Sequence, residues 1–353
     1  MAAVSAAADA LARRHTVAGV LTWDEFALVS AAHVAARLNL FGNSTATAAA
    51  SRNKAASRAA FAACGVPSAE STRVTTLREA RLAAARIGYP VVLKPTGHAG
   101  SVGVIKAERA HDLPGAYTHA SRAAGDDLRG REEGGVRVEE YLDGPEISVE
   151  CVTVRGVTTP VAITRKQLGP EPHFEEVGHS VEAGDPLLAL AGPVAIAALN
   201  ALGVANGISH VELRLTDTGP RIVEVNGRLG GDLIPHLVKQ ATGIDLPRAA
   251  ADIALGRDPD LTPTCRKAAA ISLIYAPATG RLARAHADDA LTSAPWLERL
   301  VWEREVGDMV NAPPTDEIGT ARLAHIVAID TTAERCLQHL AEAEDHLAIA
   351  VDS

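Results

Sequence analysis

Two glutamates are predicted to face each other across a hairpin. Residues 210–228 read HVELRLTDTGPRIVEVNGR, and folding them about the turn TDTG pairs positions whose numbers sum to a constant. Glu212 then lies opposite Glu224, and alternation along the strands places Asn226 on the same face. Like charges in this arrangement repel each other. Two carboxylates and an amide oxygen are hard ligands that suit Mg²⁺, and a divalent cation would remove the repulsion.

The other face of this hairpin is predicted to belong to the core. Its side chains are all apolar: Val211, Leu213, Leu215, Val223 and Val225. A simpler interpretation stays open, in which both acids point to water beside Arg214 and bind nothing.

A lysine and three glycines follow another predicted strand. In LKPTGHAGSVGV, Lys94 ends the strand, and Gly97, Gly100 and Gly103 lie in the loop beyond it, where His98 is expected to face solvent. Glycines let backbone N–H groups approach phosphate oxygens, and the lysine adds a positive charge. The spacing matches neither the dinucleotide fingerprint nor the GxxxxGK[ST] loop. We therefore predict a phosphate site at a hairpin tip, with a mobile turn as the alternative.

Further acids follow in the segment VEEYLDGPEISVE. Main-chain groups around Glu140, Tyr141 and Leu142 could read an adenine edge, while Glu146 could accept hydrogen bonds from ribose hydroxyls. The alternative is a plain strand and turn, with Glu139 and Glu140 exposed.

The composition excludes several classes of protein. The 353 residues are 47% hydrophobic and 22% charged, as in a folded protein of one large or two to three modest domains. A formal net charge of -9 argues against nucleic acid as a partner, because such binding relies on basic surface. No secretory signal or membrane-spanning stretch is evident, so a cytoplasmic protein without a membrane partner is expected. The cysteines are expected to be buried and reduced, since they form no C-x-x-C pair: Cys64, Cys151, Cys265 and Cys336.

Helical and strand patterns alternate along the chain. Helices are predicted at 4–15, 27–38, 44–64, 76–88, 111–129, 187–203, 231–243, 245–256 and 332–347. Strands are predicted at 17–23, 73–74, 89–95, 102–107, three within 134–167, two within 210–228, and at 267–277 and 322–330. A long loop with three prolines is expected at 167–186, and a smaller α/β unit from about residue 265.

Six segments, taken in order, resemble the ATP-grasp superfamily. They are RNKAASR, GYPVVLKP, GHAGSVGV, VEEYLDGPEISVE, HVELRL and IVEVNGRLGG. The resemblance covers roughly residues 50–260. ITRKQ, FEEVGHSV and EVNGRLGGDLIPHLVKQATGIDL are most similar to the L-amino-acid ligase type of carboxylate-amine ligase.

The resemblance implies an α/β (α+β) ATP-grasp fold, with ATP between two subdomains and a glycine hairpin at about 89–138 as a lid. It divides the chain into a shortened N-terminal α/β domain at 1–50, an ATP-grasp domain at 51–260 and a small C-terminal α/β subdomain at 261–353. Family members usually have further N-terminal strands, whereas 16 residues precede VAGVLTWDEF here.

Site residues are implied at the matching positions. Contacts to ATP are implied for Lys54, Lys94, Gly97, Gly100, Ser101, Gly103, Glu139, Glu140, Tyr141, Leu142 and Glu146. Mg²⁺, or Mn²⁺ in its place, would be bound by Glu212, Glu224 and Asn226. Arg228 would face both the transferred phosphoryl group and the substrate carboxylate, so Arg228 and Lys94 are the implied catalytic residues.

Other positions near the substrate keep two interpretations. His179 is expected to contact substrate from the long loop, or else to be a surface histidine. Gly230 and Gly231 either admit substrate close to the backbone or form a tight turn. Lys166 could reach the phosphates or lie on the surface.

The implied activity is an ADP-forming ligation through an acyl phosphate. It joins a small-molecule carboxylate to an amine, with an amino acid as one substrate. The alternatives are an ATP-grasp enzyme with another nucleophile, a carboxylate kinase, or a non-catalytic nucleotide-binding subunit. The resemblance also implies a homodimer.

Overall fold

Helices pack on sheets that are antiparallel throughout. The computed structural model describes residues 2–97, 100–125, 135–169, 171–313, 315 and 321–352. The described helices are α1 (Ala2–Ala12), α2 (Leu28–Arg37), α3 (Thr45–Arg52), α4 (Lys54–Cys64), α5 (Leu77–Ile87), α6 (Leu113–Gly125), α7 (Leu187–Ala201), α8 (Ile234–Thr242), α9 (Leu246–Ala254), α10 (Asp289–Thr292) and α11 (Ala333–Glu344). A 3-10 turn at Glu25–Ala27 precedes α2.

The described strands number fifteen. They are β1 (Ser71–Val74), β2 (Val91–Pro95), β3 (Ile105–Ala107), β4 (Val136–Glu140), β5 (Glu146–Val154), β6 (Val157–Leu168), β7 (Glu176–Glu182), β8 (Gly207–Thr216), β9 (Gly219–Asn226), β10 (Ala268–Tyr275), β11 (Gly280–Ala287), β12 (Leu297–Trp302), β13 (Met309–Val310), β14 (Arg322–Asp330) and β15 (Leu347–Asp352).

Three sheets organise these strands. A four-stranded sheet has the order β1-β4-β2-β3, and an eight-stranded sheet has the order β12-β14-β10-β7-β6-β5-β8-β9. A small sheet, β13-β11-β15, completes the set. Because β10, β12 and β14 extend the eight-stranded sheet, the boundary predicted at residue 260 separates strands of one sheet, and the domain division stays a prediction.

Both faces of the eight-stranded sheet are covered by helices. On one face, α4 and α7 pack against β5, β6, β8 and β9 in a core that contains Phe61, Leu199 and Val211. On the other face, α8 and α9 bury Leu237 and Ile253 against β8, β7 and β10. The four-stranded sheet has its own core against α5 and α6. The two sheets are therefore separate rigid layers, each buried on its helix side.

Two predicted elements near the N-terminus are wrong. Residues 17–23 form no strand, since no described strand pairs with them, and Trp23 is 70% exposed. A lone strand cannot satisfy its backbone hydrogen bonds. The helix predicted at 44–64 is broken at Asn53, whose extended backbone ends α3 and starts α4.

The long loop predicted at 167–186 is also wrong in its second half. Glu176–Glu182 is strand β7, paired with β6 and β10. Glycine and proline suggested a loop, but pairing with neighbours on both sides overrides such local preference. No helix among the described residues is long and apolar enough to span a membrane.

The helix break at Asn53 predicts how a substitution there changes the stability of the protein. The Asn53 side chain accepts hydrogen bonds from the N–H groups of Ala55 and Ala56, which caps α4. Asn53→Ala should lower the free energy of unfolding by about 0.5–2 kcal/mol, because the cap is lost. Asn53→Asp keeps the acceptor and is the matched control. Chemical denaturation measures both, and equal stability of Asn53→Ala and wild type would contradict the capping role.

Candidate functional site

A cavity of about 590 Å³ lies between the four-stranded and eight-stranded sheets. Most of the predicted site residues line it: Lys54, Lys94, Gly100, Ser101, Glu139, Glu140, Tyr141, Leu142, Glu146, Glu212, Glu224, Asn226, Arg228 and Gly231. Four predicted residues are not among the lining side chains: Gly97, Gly103, His179 and Gly230. The structure thus gathers residues that are spread over about 180 positions of the chain around one space.

The predicted cross-strand pairing is present in the hairpin of β8 and β9. Glu212 pairs with Glu224 and His210 with Asn226, and Asn226 Nδ2 donates to Glu212 Oε1 at 3.0 Å. The register shifts by one residue beyond Glu212.

This bulge corrects one position of the predicted core face. Ile222, not Val223, pairs with Leu213 and is fully buried in the core. Val223 instead lines the cavity. An extra residue on one strand of a pair reverses the faces of the residues beyond it.

Each of the two facing acids has a lysine of its own beside it. Lys54 Nζ lies 2.8 Å from Glu224 Oε1, and Lys166 Nζ lies 3.3 Å from Glu212 Oε2. His210 Nε2 is 3.3 Å from Glu212 Oε1. The repulsion expected from the sequence is therefore offset by cations of the chain itself.

Lys166 is buried and its ammonium group contacts three carboxylates. Its side chain is 1% exposed, and Nζ lies 2.7 Å from Glu176, 3.3 Å from Glu212 and 3.4 Å from Glu146. Burial alone would lower the pKa of Lys166, but the three carboxylates raise it well above its usual value. The lysine stays charged and faces the cavity's acids, so the surface interpretation of Lys166 is wrong.

The acid face suits a divalent cation. Glu212, Glu224 and Asn226 present hard oxygen donors toward one cavity, as Mg²⁺ or Mn²⁺ requires. Carboxylate oxygens of Glu146, Glu176 and Glu212 also lie within 4.8 Å of one another. Glu176 was not predicted as a site residue, because the sequence of its strand is typical of a loop.

Lys94 stands at the centre of a second buried cluster. Lys94 Nζ is 2.6 Å from Glu139 Oε2, and Arg58 Nη2 is 2.9 Å from the same oxygen. Ser71 Oγ donates to Glu139 Oε1 at 2.6 Å, and Arg137 Nε lies 3.3 Å from that oxygen. Burial would raise the pKa of Glu139, but Arg58 and Lys94 hold it far below its usual value. Three cations meet one carboxylate, which leaves an excess of positive charge for an anion.

Burial dominates the pKa of Lys94 itself. Loss of hydration lowers this pKa, and the carboxylate of Glu139 opposes the shift only in part. Arg58 was not predicted from the sequence, although it follows Lys54 by one helical turn on α4. That spacing places both cations on the helix face toward the cavity.

The residues of the glycine loop differ in their surroundings. Gly100 has φ +69° with open space at its Cβ position, and Ser101 has φ 58°. Gly103 has φ +72°, and an added Cβ would lie 2.4 Å from the Cβ of Ala123. Gly103 is thus required for packing, whereas Gly100 and Ser101 face the cavity. His98 lies outside the described residues.

The acids predicted near adenine and ribose are paired, not free. Arg221 holds Glu140 through two hydrogen bonds of 2.6 and 2.7 Å. Arg214 Nε donates to Glu146 Oε2 at 2.9 Å. Tyr141 presents its ring to Lys106, whose Nζ lies 4.0 Å from the ring centroid. The alternative of a plain strand with exposed acids is therefore wrong for Glu146 and for Glu139, which are buried or nearly so.

Arg228 is fixed by an acid from the N-terminal region. Its Nε lies 2.8 Å from Glu25 Oε2, and Nη1 donates to the carbonyl of Leu229 at 2.8 Å. Burial raises the pKa of Glu25, against the opposing effect of Arg228. Glu25 lies 203 positions from Arg228, and no local pattern in the sequence indicated the pair.

His179 is buried on β7, so the predicted loop position and the surface interpretation are wrong, and the contact with substrate stays a prediction. The side chain is 0% exposed, and Nε2 lies 3.1 Å from Glu176 and 3.7 Å from Asp232. Among the described residues neither ring nitrogen has a well-aligned hydrogen bond. Burial would lower the pKa of His179, but Asp232 and Glu176 raise it.

The two glycines after Arg228 have different environments. A Cβ on Gly230 would lie 2.9 Å from His210 Nδ1, so this glycine serves close packing. Gly231 has open space and lines the cavity. Four further lining residues were not predicted from the sequence: Asp232, Tyr275, Glu303 and Arg322.

Comparisons with known proteins agree with this architecture. A family model described as an ATP-grasp domain matches residues 87–236. Protein y4rH of Sinorhizobium fredii, described as uncharacterized, is 32% identical over 267 residues, which is 75% of this chain and 54% of that protein. Alanine–anticapsin ligase of Bacillus subtilis is 31% identical over 268 residues, 69% of this chain and 55% of that protein. The chain thus spans about half the length of the curated relatives it matches.

Solved structures share the fold. L-amino acid ligase from Bacillus licheniformis superposes with a TM-score of 0.86 at 23% identity, covering 99% of this chain and 85% of that one. Phosphoribosylglycinamide synthetase from Anaerococcus prevotii has a TM-score of 0.68 at 20% identity, covering 93% and 81%. The chain therefore has the ATP-grasp fold, and the matched ATP-grasp domain lies at residues 87–236.

Proposed function

We propose that the chain is an ATP-dependent, ADP-forming carboxylate-amine ligase that makes an amide or peptide bond, with an amino acid as one substrate. The observation that carries this proposal is the single cavity, which unites a cationic cluster, a face of two carboxylates and an amide, and Arg228. The curated relatives named as ligases support it, because alanine–anticapsin ligase matches 69% of the chain.

ATP is proposed to lie between the two sheets. Lys54 and Lys94, with the loop at Gly100 and Ser101, would hold its phosphates, and main-chain groups of Glu140 to Leu142 would hold adenine. Glu146 would accept from ribose. Gly97 and Gly103 would shape the loop, since neither lines the cavity. These roles follow from placement in the cavity and from the family resemblance.

A divalent cation is proposed at Glu212, Glu224 and Asn226, where it would neutralise charge on the phosphates. Lys54 and Lys166, which pair with these acids, would then contact phosphate oxygens.

The proposed reaction has two steps. A substrate carboxylate oxygen attacks the γ-phosphorus, the bond from γ-phosphorus to the β,γ-bridging oxygen breaks, and ADP leaves. The amine nitrogen then attacks the acyl carbon, the bond from carbon to the phosphate oxygen breaks, and inorganic phosphate leaves as the nitrogen loses its proton. Arg228 would hold the carboxylate in line, because Glu25 fixes its guanidinium. Positioning and charge neutralisation supply most of the catalysis in phosphoryl transfer.

Replacing one acid of the hairpin tests the proposed metal site. Glu224→Gln should lower ADP release with Mg²⁺ by about 10² to 10³-fold, the usual cost of removing one electrostatic contact to the transition state. The matched control is Asp217→Asn, a similar change in the exposed turn of the same hairpin. Thermal unfolding of both variants shows whether the fold is retained. Unchanged ADP release by Glu224→Gln would refute this role.

The two-substrate requirement tests the reaction class. ADP release should need a pair of amino acids, since the acyl phosphate must be consumed by an amine. Amino acids are supplied singly and in pairs, and mass spectrometry identifies the product. Turnover with one substrate and an acyl phosphate product would show a carboxylate kinase. Binding of ATP without any turnover across the panel would show a non-catalytic subunit.

Lys54 is predicted to compete with the metal before ATP binds. Its ion pair with Glu224 must break for the carboxylate to bind a cation. Without nucleotide, Lys54→Met should therefore bind Mn²⁺ about fivefold more tightly, which corresponds to a competing pair worth ~1 kcal/mol. Electron paramagnetic resonance of free Mn²⁺ measures this, with the exposed Lys267→Met as control. Equal affinity for both variants would show that the pair does not oppose the metal.

A further inference from the structure

One part of the cavity wall is largely ionic, and three of its four residues follow the matched family model. Tyr275 on β10, Glu303 after β12 and Arg322 on β14 line the cavity beyond residues 87–236. Asp232, between β9 and α8, faces them. Asp232 directly follows the turn that carries Arg228, which is proposed to hold the substrate carboxylate, so we assign this wall to the substrate and not to ATP. We call these four residues the ionic wall.

The ionic wall is held in a defined geometry. Arg322 Nη1 lies 2.6 Å from Asp232 Oδ1, and Arg322 Nη2 donates to the Tyr275 hydroxyl at 3.4 Å. The Tyr275 hydroxyl donates in turn to the carbonyl of Glu176 at 2.8 Å. The Arg322 and Asp232 side chains are 17% and 25% exposed, so both remain accessible from the cavity. These contacts fix Arg322, Asp232 and Tyr275 relative to one another.

The backbone at Asp232 is strained. Asp232 and Leu233 have φ of 47° and 62°, in the left-handed region that residues other than glycine rarely adopt. Such conformations persist only where the surrounding structure requires them. Gly231 leaves open space beside them. The strain brings the Asp232 carboxylate to the cavity directly after the turn that carries Arg228.

The charge of the ionic wall favours a cation. Asp232 and Glu303 supply two carboxylates beside the guanidinium of Arg322, and one histidine lies next to each acid. Glu303 Oε1 has His325 Nδ1 at 2.9 Å, and Asp232 Oδ2 has His179 Nε2 at 3.7 Å, so each acid keeps oxygen lone pairs for a ligand. The neighbouring Glu176 is already neutralised by Lys166. An aliphatic side chain here would desolvate Asp232 and Arg322 without giving them a new hydrogen bond, which is unfavourable.

We propose that one of the two amino-acid substrates has a basic side chain, an ammonium or guanidinium group, which Asp232 and Glu303 recognise while Arg322 positions Asp232. This inference rests on the proposed ligase function and names the substrate class of that site. It makes Asp232 and Glu303 specificity-determining residues and Arg322 a positioning residue.

The test compares lysine with norleucine, which has the same carbon chain but no side-chain ammonium. Each is paired with alanine, and kcat/KM is measured by ADP release, with the product identified by mass spectrometry. Lysine should be favoured at least tenfold, since a site built for a polar group rejects the analogue that lacks it. Equal or better use of norleucine by the wild-type protein would overturn the proposal.

Variants separate recognition from a structural role. Asp232→Asn keeps the side-chain shape and should bring the lysine-to-norleucine ratio close to one, and Glu303→Gln should lower the same ratio. Asp217→Asn is the control and should leave the ratio unchanged. A lost fold would reduce both substrates equally, whereas loss of recognition changes only their ratio. An unaltered ratio in both Asp232→Asn and Glu303→Gln would contradict the assignment.

Binding is measured separately from turnover. Calorimetry with ADP and Mg²⁺ present compares the affinities for lysine and norleucine directly. If no pair of amino acids releases ADP, the ligase function fails, and the calorimetric preference still decides whether the ionic wall selects a cation. Equal affinity for the two amino acids would overturn the inference even in an active enzyme.

Discussion

The opposed carboxylates of Glu212 and Glu224 are the constraint on which the site depends. Two acids at directly paired positions of one hairpin repel each other unless cations lie beside them. The protein supplies these cations from different elements, Lys54 from the first turn of α4 and Lys166 from β6. The helix, the hairpin and the neighbouring strand must therefore meet at this point. Each of these two carboxylates is thus paired with a lysine of the chain itself, whereas the cluster around Lys94 keeps an excess of positive charge.

The order of the strands around the hairpin serves the same constraint. β5 lies between β6 and β8, and Lys166 of β6 contacts both Glu146 of β5 and Glu212 of β8. Glu150 is fully buried and meets His210 Nδ1 at 2.9 Å. Burial would lower the pKa of His210, but Glu150 raises it to about 9. The buried carboxylate of Glu150 thus favours the charged form of His210. The positive charge of His210 offsets the negative charge of Glu212.

The sequence predicted the nucleotide half of the site better than the rest because its signals are local. Strand alternation alone paired Glu212 with Glu224 correctly, and the order of motifs identified the family. Prediction failed where tertiary contacts override local preference: Glu176–Glu182 became a strand through pairing on both sides, and Val223 changed faces at a bulge. The break at Asn53 was missed because alanine-rich segments on both sides favour helix, although Asn is a good capping residue.

The substrate half could not be predicted for a physical reason. Arg322 and Asp232 are 90 positions apart, and Arg228 and Glu25 are 203 positions apart. Nothing in the spacing of such residues indicates a contact, because only the assembly of the eight-stranded sheet and the packing of the N-terminal turn bring them together. Phosphoribosylglycinamide synthetase and L-amino acid ligase share the fold of this chain, and a shared fold leaves the side chains of a cavity wall free to vary. The chemistry that distinguishes this chain therefore resides in its long-range pairs, which are the ones that local sequence motifs do not encode.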